Sequence, residues 1–146
     1  MPRRLAVIRQ RRFLVSSYNF KVNVSCVIKK DDNFLLIKRA DDEVVFPGYW
    51  GIPGGTVDPA DATLEDALVR EWAEEVGVEI TNLEIVSNDI NDKGDKGALY
   101  IVYKADHMTG EPKALDGTAE AKWLGIDDVR TLNLTPKTLE MLEACL

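Results

Sequence analysis

The sequence predicts an α/β domain, a mixed β-sheet with helices on its faces, and three observations predict it. Residues 20–28, FKVNVSCVI, alternate with the period of two that marks a half-buried strand. Residues 63–76 carry the start and stop signals of an amphipathic helix. Further strand-like runs at 83–90 and 98–104 then lead to a second helical stretch, so strands and helices are interleaved along one chain. With 146 residues, 45% hydrophobic, there is enough apolar surface for one core, and 1–146 is read as a single domain.

In the first strand, Val22, Val24, Cys26 and Ile28 share one side. The turn residues KKDDN, 29–33, separate it from a second strand at 34–38, FLLIK, close enough to form a hairpin. After an irregular stretch containing Asp41, Asp42, Pro47 and Gly48, the segment WGIPGG leads from Trp50 to Gly55. The first helix begins at Thr63, which can cap it with Asp66 in a capping-box-like position, and ends at Gly77, a left-handed stop. NDKGDKG, 91–97, reads as a hairpin loop, and a short strand is expected around Trp123. The second helix is expected from Thr135 as cap, with Pro136 as its first residue, to about Cys145, packing through Leu139, Met141 and Leu142.

Composition excludes several classes. Cys26 and Cys145 are far apart with no CxxC pair, and His107 is the only histidine, which removes zinc fingers, iron–sulfur clusters and histidine-based catalysis. No apolar run approaches the roughly 20 residues of a membrane span, and LAVI near the N-terminus is too short for a signal-peptide core, so a cytoplasmic protein without membrane contact is expected. Eight of the 18 Lys/Arg lie in the first 30 residues, which hold no acid; the rest carries 10 bases against 25 acids. Such a body repels nucleic acid unless cations intervene. The basic start, 1–20, is read as a lead-in segment, and its alternation offers an edge for pairing in a homodimer.

The informative segment is Arg70-Glu71-Trp72-Ala73-Glu74-Glu75-Val76-Gly77-Val78. At about 100° per residue from Leu64, Glu71, Glu74 and Glu75 fall near roughly 340°, 280° and 20°, so three carboxylates crowd one side of the helix. That side also holds Leu64, Ala67 and Leu68, and it lies towards the negative end of the helix dipole. Mutual repulsion there calls for a cation, and oxygen ligands alone select hard ions such as Mg²⁺ or Mn²⁺. An exposed acidic face neutralised by Arg70 is the open alternative. Upstream, Gly54 and Gly55 let backbone groups approach a phosphate or a metal closely.

Taken together, Gly55 to Val78 resembles the Nudix box, G-x5-E-x7-R-E-U-x-E-E-x-G-U, where U is a bulky apolar residue. Arg70, Glu71, Trp72, Glu74, Glu75, Gly77 and Val78 match it. Asp61 stands where the first glutamate is expected, and the spacing from Gly55 to Arg70 is one residue too long, so one inserted residue at Ala62 restores the register. The strand ending in Lys38-Arg39, WGIPGG, and Glu120-Ala121-Lys122-Trp123 extend the resemblance over most of 21–146.

The resemblance implies an α/β/α sandwich and Mg²⁺- or Mn²⁺-dependent hydrolysis of a nucleoside diphosphate linked to another moiety, by attack of water at phosphorus. It implies Glu71, Glu74, Glu75 and the carbonyl of Gly55 as metal ligands, with Arg70 orienting the carboxylates. Glu71 is then the first choice of general base and Glu120 the second, with Asp116 nearby read as a turn acid. For the small-molecule nucleotide, Arg39, Gly54 and Gly55 are candidates to meet phosphate, and Phe46, Tyr49 and Tyr103 to stack on a base. Small size favours a MutT-like hydrolase of nucleoside triphosphates; ADP-ribose or a dinucleotide is the runner-up. An RNA 5′-end pyrophosphohydrolase or a non-catalytic ligand sensor are rivals, and the isomerase branch lacks its cysteine and histidines here.

Overall fold

The computed structural model describes residues 19–146. The basic lead-in and its expected role in a dimer therefore lie outside the described residues. Strand β1 (Asn19–Val27) forms the interior of a mixed four-stranded sheet of order β5-β1-β7-β6. It runs antiparallel to β5 (Gly54–Thr56) and parallel to β7 (Lys96–Thr109), which pairs antiparallel with β6 (Glu79–Asp92). A second, antiparallel sheet is built on β3 (Asn33–Arg39), which pairs with β2 (Lys29–Lys30), β4 (Trp50–Gly51) and β8 (Thr118–Gly125). The expected hairpin between the first two long strands is thus replaced by a smaller one. Only Lys29 and Lys30 pair back onto β3, while β1 belongs to the other sheet.

Alternation along the strands builds two cores. Val24, Cys26, Ile28, Leu35 and Ile37 pack with Ala67, Leu68, Trp72 and Val76 of helix α1 (Leu64–Val76). The opposite parity, Val27, Phe34 and Leu36, packs with Trp50, Val129 and Leu142, the last two from the short helices α2 (Ile126–Val129) and α3 (Thr138–Glu143). Helices thus cover both faces, as expected for an α/β/α arrangement. Each fully buried large apolar side chain contributes about 1.5–3 kcal/mol, and Trp72, Leu68 and Phe34 are 0% exposed.

Helix α1 obeys its sequence signals: the Thr63 hydroxyl accepts the Asp66 N–H at 3.0 Å, and Gly77 stops it at φ 70°. The C-terminal helix does not. Thr135 engages the Thr138 hydroxyl at 2.7 Å instead of capping, its carbonyl accepts the Thr138 N–H, and Lys137 at φ 65° precedes a helix that starts only at Thr138. No helix among the described residues is long and apolar enough to cross a membrane.

Candidate active site

The site forms where β5 passes under α1. Gly54 is squeezed against β1: a Cβ there would come within 2.1 Å of the Val24 carbonyl oxygen. Gly55 is squeezed against the helix, since its Cβ would lie 2.3 Å from Cδ of Glu71. The Trp72 indole N–H donates to the Pro53 carbonyl at 3.2 Å, locking α1 to this segment from the core side. Glycine is needed at Gly54 because the β1 backbone lies against it, and at Gly55 because the Glu71 carboxylate does.

Arg70 gathers the acids. Its Nε and Nη2 donate to both oxygens of Asp61 at 2.9 and 2.8 Å, Nη1 donates to Glu71 at 3.0 Å and Glu74 at 3.3 Å, and Nη2 also reaches the Thr56 carbonyl at 3.2 Å. Hydrogen bonds from Arg70 hold the Asp61 carboxyl down at about 2, and the guanidinium is itself raised, chiefly by Asp61. The extra residue in the box is absorbed by a loop: the Asp61 N–H donates to the Asp58 carbonyl and the Asp58 N–H to the Asp61 carboxylate, all before the Thr63 cap.

Glu71 and Glu75 lie deeper. Burial pushes the Glu71 carboxyl up from its ordinary value, against the pull of Arg70. Glu75 is pushed up to about 8, first by burial and then by the charge of Glu71; the Gly54 N–H and Arg39 draw it down, and its carboxyl is hydrogen-bonded to that of Glu71.

A cavity of about 180 Å³ opens over these groups, lined by Ile37, Arg39, Glu43, Glu71, Glu74, Glu75, Asp116, Gly117 and Thr118. The family model for the NUDIX domain matches residues 19–145.

The chain belongs to the Nudix hydrolase family.

Among its Nudix relatives, the nucleoside triphosphatase NudI of Escherichia coli K12 is 42% identical over 85 residues, 53% of this chain and 60% of that protein. The match thus spans about 60% of the length of that curated relative. A MutT Nudix hydrolase from Burkholderia pseudomallei superposes with a TM-score of 0.74 at 27% identity, covering 88% of this chain and 99% of that one. The Nudix domain of Shewanella oneidensis NrtR, solved with ADP ribose, shares the fold with a TM-score of 0.71 at 23% identity, covering 88% and 86%.

Within this Nudix domain, the structure brings Arg70, Glu71, Glu74, Glu75, Gly54, Gly55 and Arg39 to one place. Glu120 does not join them. It faces Lys38 across β3 and β8 and pairs with Lys38 at 3.9 Å and Lys122 at 3.2 Å, and it is absent from the cavity wall. Tyr103, a stacking candidate, is a core residue at 1% exposure whose hydroxyl meets Glu65 at 3.3 Å. Phe46 and Tyr49 are exposed and tilted against each other with ring centroids 5.5 Å apart, on the loop that follows Arg39. Glu43 and Gly117 are contributors that sequence reasoning missed. Glu43 lies four residues after Arg39, but in a loop, where that spacing carries no signal.

The donor set suits a hard divalent cation: oxygens only, with the negative charge of Glu71, Glu74 and Glu75 on one cavity wall. Among the described residues no three such ligands stand already gathered for a metal. Arg70 and the paired carboxyls hold the acids with one another instead.

Proposed function

We propose that this chain is a divalent-metal-dependent pyrophosphohydrolase that cleaves the phosphoanhydride of a nucleoside triphosphate or related nucleoside diphosphate compound. The observation that carries the reading is the packing of Gly55 against Glu71, with Glu75 hydrogen-bonded behind it and Arg70 clamping Glu71 and Glu74. Glu71, Glu74, Glu75 and the Gly55 carbonyl would hold Mg²⁺ or Mn²⁺. When bound, the cation supplies neutralisation of the diphosphate and acidification of water.

The rest falls to the protein. Glu71 accepts the proton of the attacking water; burial raises its proton affinity, as a base working near neutrality requires. Arg70 keeps Glu71 and Glu74 oriented while Asp61 occupies its other edge. Arg39 in the cavity wall meets a phosphate, and the exposed rings of Phe46 and Tyr49 offer a base a surface beside it. A nucleoside triphosphate is preferred because NudI, a relative at 42% identity, is named a nucleoside triphosphatase. We read the enzyme as cytoplasmic, acting on small nucleotides.

The test is a panel of nucleoside triphosphates, ADP-ribose, NADH and dinucleoside polyphosphates assayed with Mg²⁺ and with chelator. Pyrophosphate release from triphosphates, lost with chelator, supports the reading. Turnover confined to ADP-ribose or dinucleotides moves the substrate class. Binding of Mg²⁺ and nucleotide without any turnover replaces the enzyme by a sensor.

A further inference from the structure

The loop from Ala40 to Tyr49 is organised by Arg39. The main-chain N–H of Arg39 donates to the Tyr49 carbonyl at 2.8 Å and its carbonyl accepts the Gly48 N–H at 3.0 Å, so the loop closes at its base. Its side chain then reaches into the loop: Nε donates to the Val45 carbonyl at 2.7 Å, and Nη2 donates to Glu43 Oε2 at 3.3 Å. The other Glu43 oxygen fits against Gly117, where a Cβ would come within 2.3 Å of it, and the Ala40 N–H donates to the Gly117 carbonyl at 2.9 Å. Gly117, at φ 69°, thus makes room for a carboxylate in the wall of the cavity.

The two bonds of the Arg39 side chain differ in kind. The bond to Val45 is short and ties the guanidinium to backbone. The bond to Glu43 is longer than the 2.7–2.9 Å typical of strong charge-assisted pairs, and the two side chains are 32% and 35% exposed. A solvated pair of this sort is weak and readily exchanged. Glu43 also adds negative charge to a cavity that already holds Glu71, Glu74, Glu75 and Asp116. A carboxylate at this place opposes any anion that enters, and it is hydrogen-bonded to Arg39, the cation of the cavity wall, whose charge also reaches Glu75.

We propose that Glu43 is an internal competitor for substrate phosphate: it occupies the Nη2 edge of Arg39 in the free protein and yields that edge when a diphosphate enters the cavity. Glu43 is therefore a positioning residue. It keeps the guanidinium aimed along the cavity wall while no ligand is bound, and it takes the guanidinium back as the anionic product leaves. The inference rests on the reading of the cavity as a diphosphate site.

The test is calorimetric titration of methylenediphosphonate, a non-hydrolysable diphosphate, in the presence of Mg²⁺, into the wild type, Glu43→Gln, Arg39→Gln and the double variant. Glu43→Gln should bind about two- to fivefold tighter, the scale of one solvated charge pair, and Glu43→Ala should do the same. Arg39→Gln should bind more weakly, and Glu43→Gln should add nothing in its background. Unchanged or weaker binding by Glu43→Gln and Glu43→Ala overturns the proposal. Equal tightening with and without Arg39 also overturns it, by showing general repulsion rather than competition for one guanidinium. Thermal melts of all five proteins separate these outcomes from unfolding, and a well-folded wild type that binds no diphosphonate overturns the proposal outright. Hydrolysis assays separate the two readings: turnover without tightening removes the competitor alone, whereas Arg39-dependent tightening without turnover removes the hydrolase alone.

Discussion

Asp61 and Arg70 meet through two parallel hydrogen bonds, Nε to Oδ1 at 2.9 Å and Nη2 to Oδ2 at 2.8 Å, although the box carries one residue more between Gly55 and Arg70 than its family pattern. The Asp58–Asp61 turn precedes the helix cap, and from it the Asp61 carboxylate reaches the guanidinium with both oxygens. Asp61→Asn should therefore disturb the acids through Arg70, lowering metal affinity about 10- to 100-fold, as loss of an orienting partner does. Titration of Mn²⁺ by paramagnetic resonance reads this directly.

The same pair sets an acid limit. The Asp61 carboxyl is held at about 2 against an ordinary 3.8, first by its hydrogen bonds from Arg70. A depressed carboxyl contributes stability above its unfolded value and loses it as pH falls through its folded one. The difference in melting temperature between wild type and Asp61→Asn should be largest above about pH 4 and close as pH falls towards about 2. A difference that stays constant over this window would exclude the pair as its source.

Glu74→Gln and Glu75→Gln should each lower kcat/KM by about two orders of magnitude with folding intact, the scale seen when a preorganised charge is removed from a reacting centre. Chelator should abolish wild-type turnover and added Mg²⁺ restore it. Near-wild-type rates in both variants would remove the metal site from α1.

The two glycines of β5 should respond differently to alanine. At Gly55 the added Cβ meets the Glu71 carboxylate, a movable side-chain end, so Gly55→Ala should fold and lose activity as Glu71 is displaced. At Gly54 it meets the Val24 carbonyl and the Ser25 Cα, which cannot move without breaking the β1–β5 pairing. Gly54→Ala should then cost about 1–3 kcal/mol or more, as overpacking does. Denaturant melts paired with turnover measurements separate the two effects.

Trp72→Phe keeps most of the buried ring and removes the indole donor, while the Pro53 carbonyl still accepts the Cys26 N–H at 3.2 Å. A loss of about 0.5–1.5 kcal/mol is expected for one hydrogen bond removed from an acceptor that keeps its other donor. Thr63→Ala removes the cap of α1 and should cost about 1 kcal/mol. Circular dichroism melts give both, and a neutral Trp72→Phe would show that α1 is held over β5 by packing alone.

Local chemistry was legible in the sequence. Thr63 and Gly77 bound α1 because capping and left-handed termination depend on neighbours a few residues away. The spacing of Glu71, Glu74 and Glu75 put three acids on one helix side because helical geometry is periodic, and the parity of Val22, Val24, Cys26 and Ile28 named the face that meets α1. Pairing and partners were decided only in three dimensions. Strand periodicity assigns faces but not neighbours, so β1 was expected beside β3 and instead lies between β5 and β7. Glu120 is near the site in sequence pattern, yet the register that sets it opposite Lys38 turns it towards two lysines instead. Thr135 has the chemistry of a cap, yet its hydroxyl bonds that of Thr138 and its side chain lies against Gly51 of β4, a neighbour distant in sequence. The acids of α1 and their helix were thus determined by contacts within a few turns of chain, whereas Arg39, Glu43 and Gly117 were brought to them by the joining of two sheets, which no local pattern records.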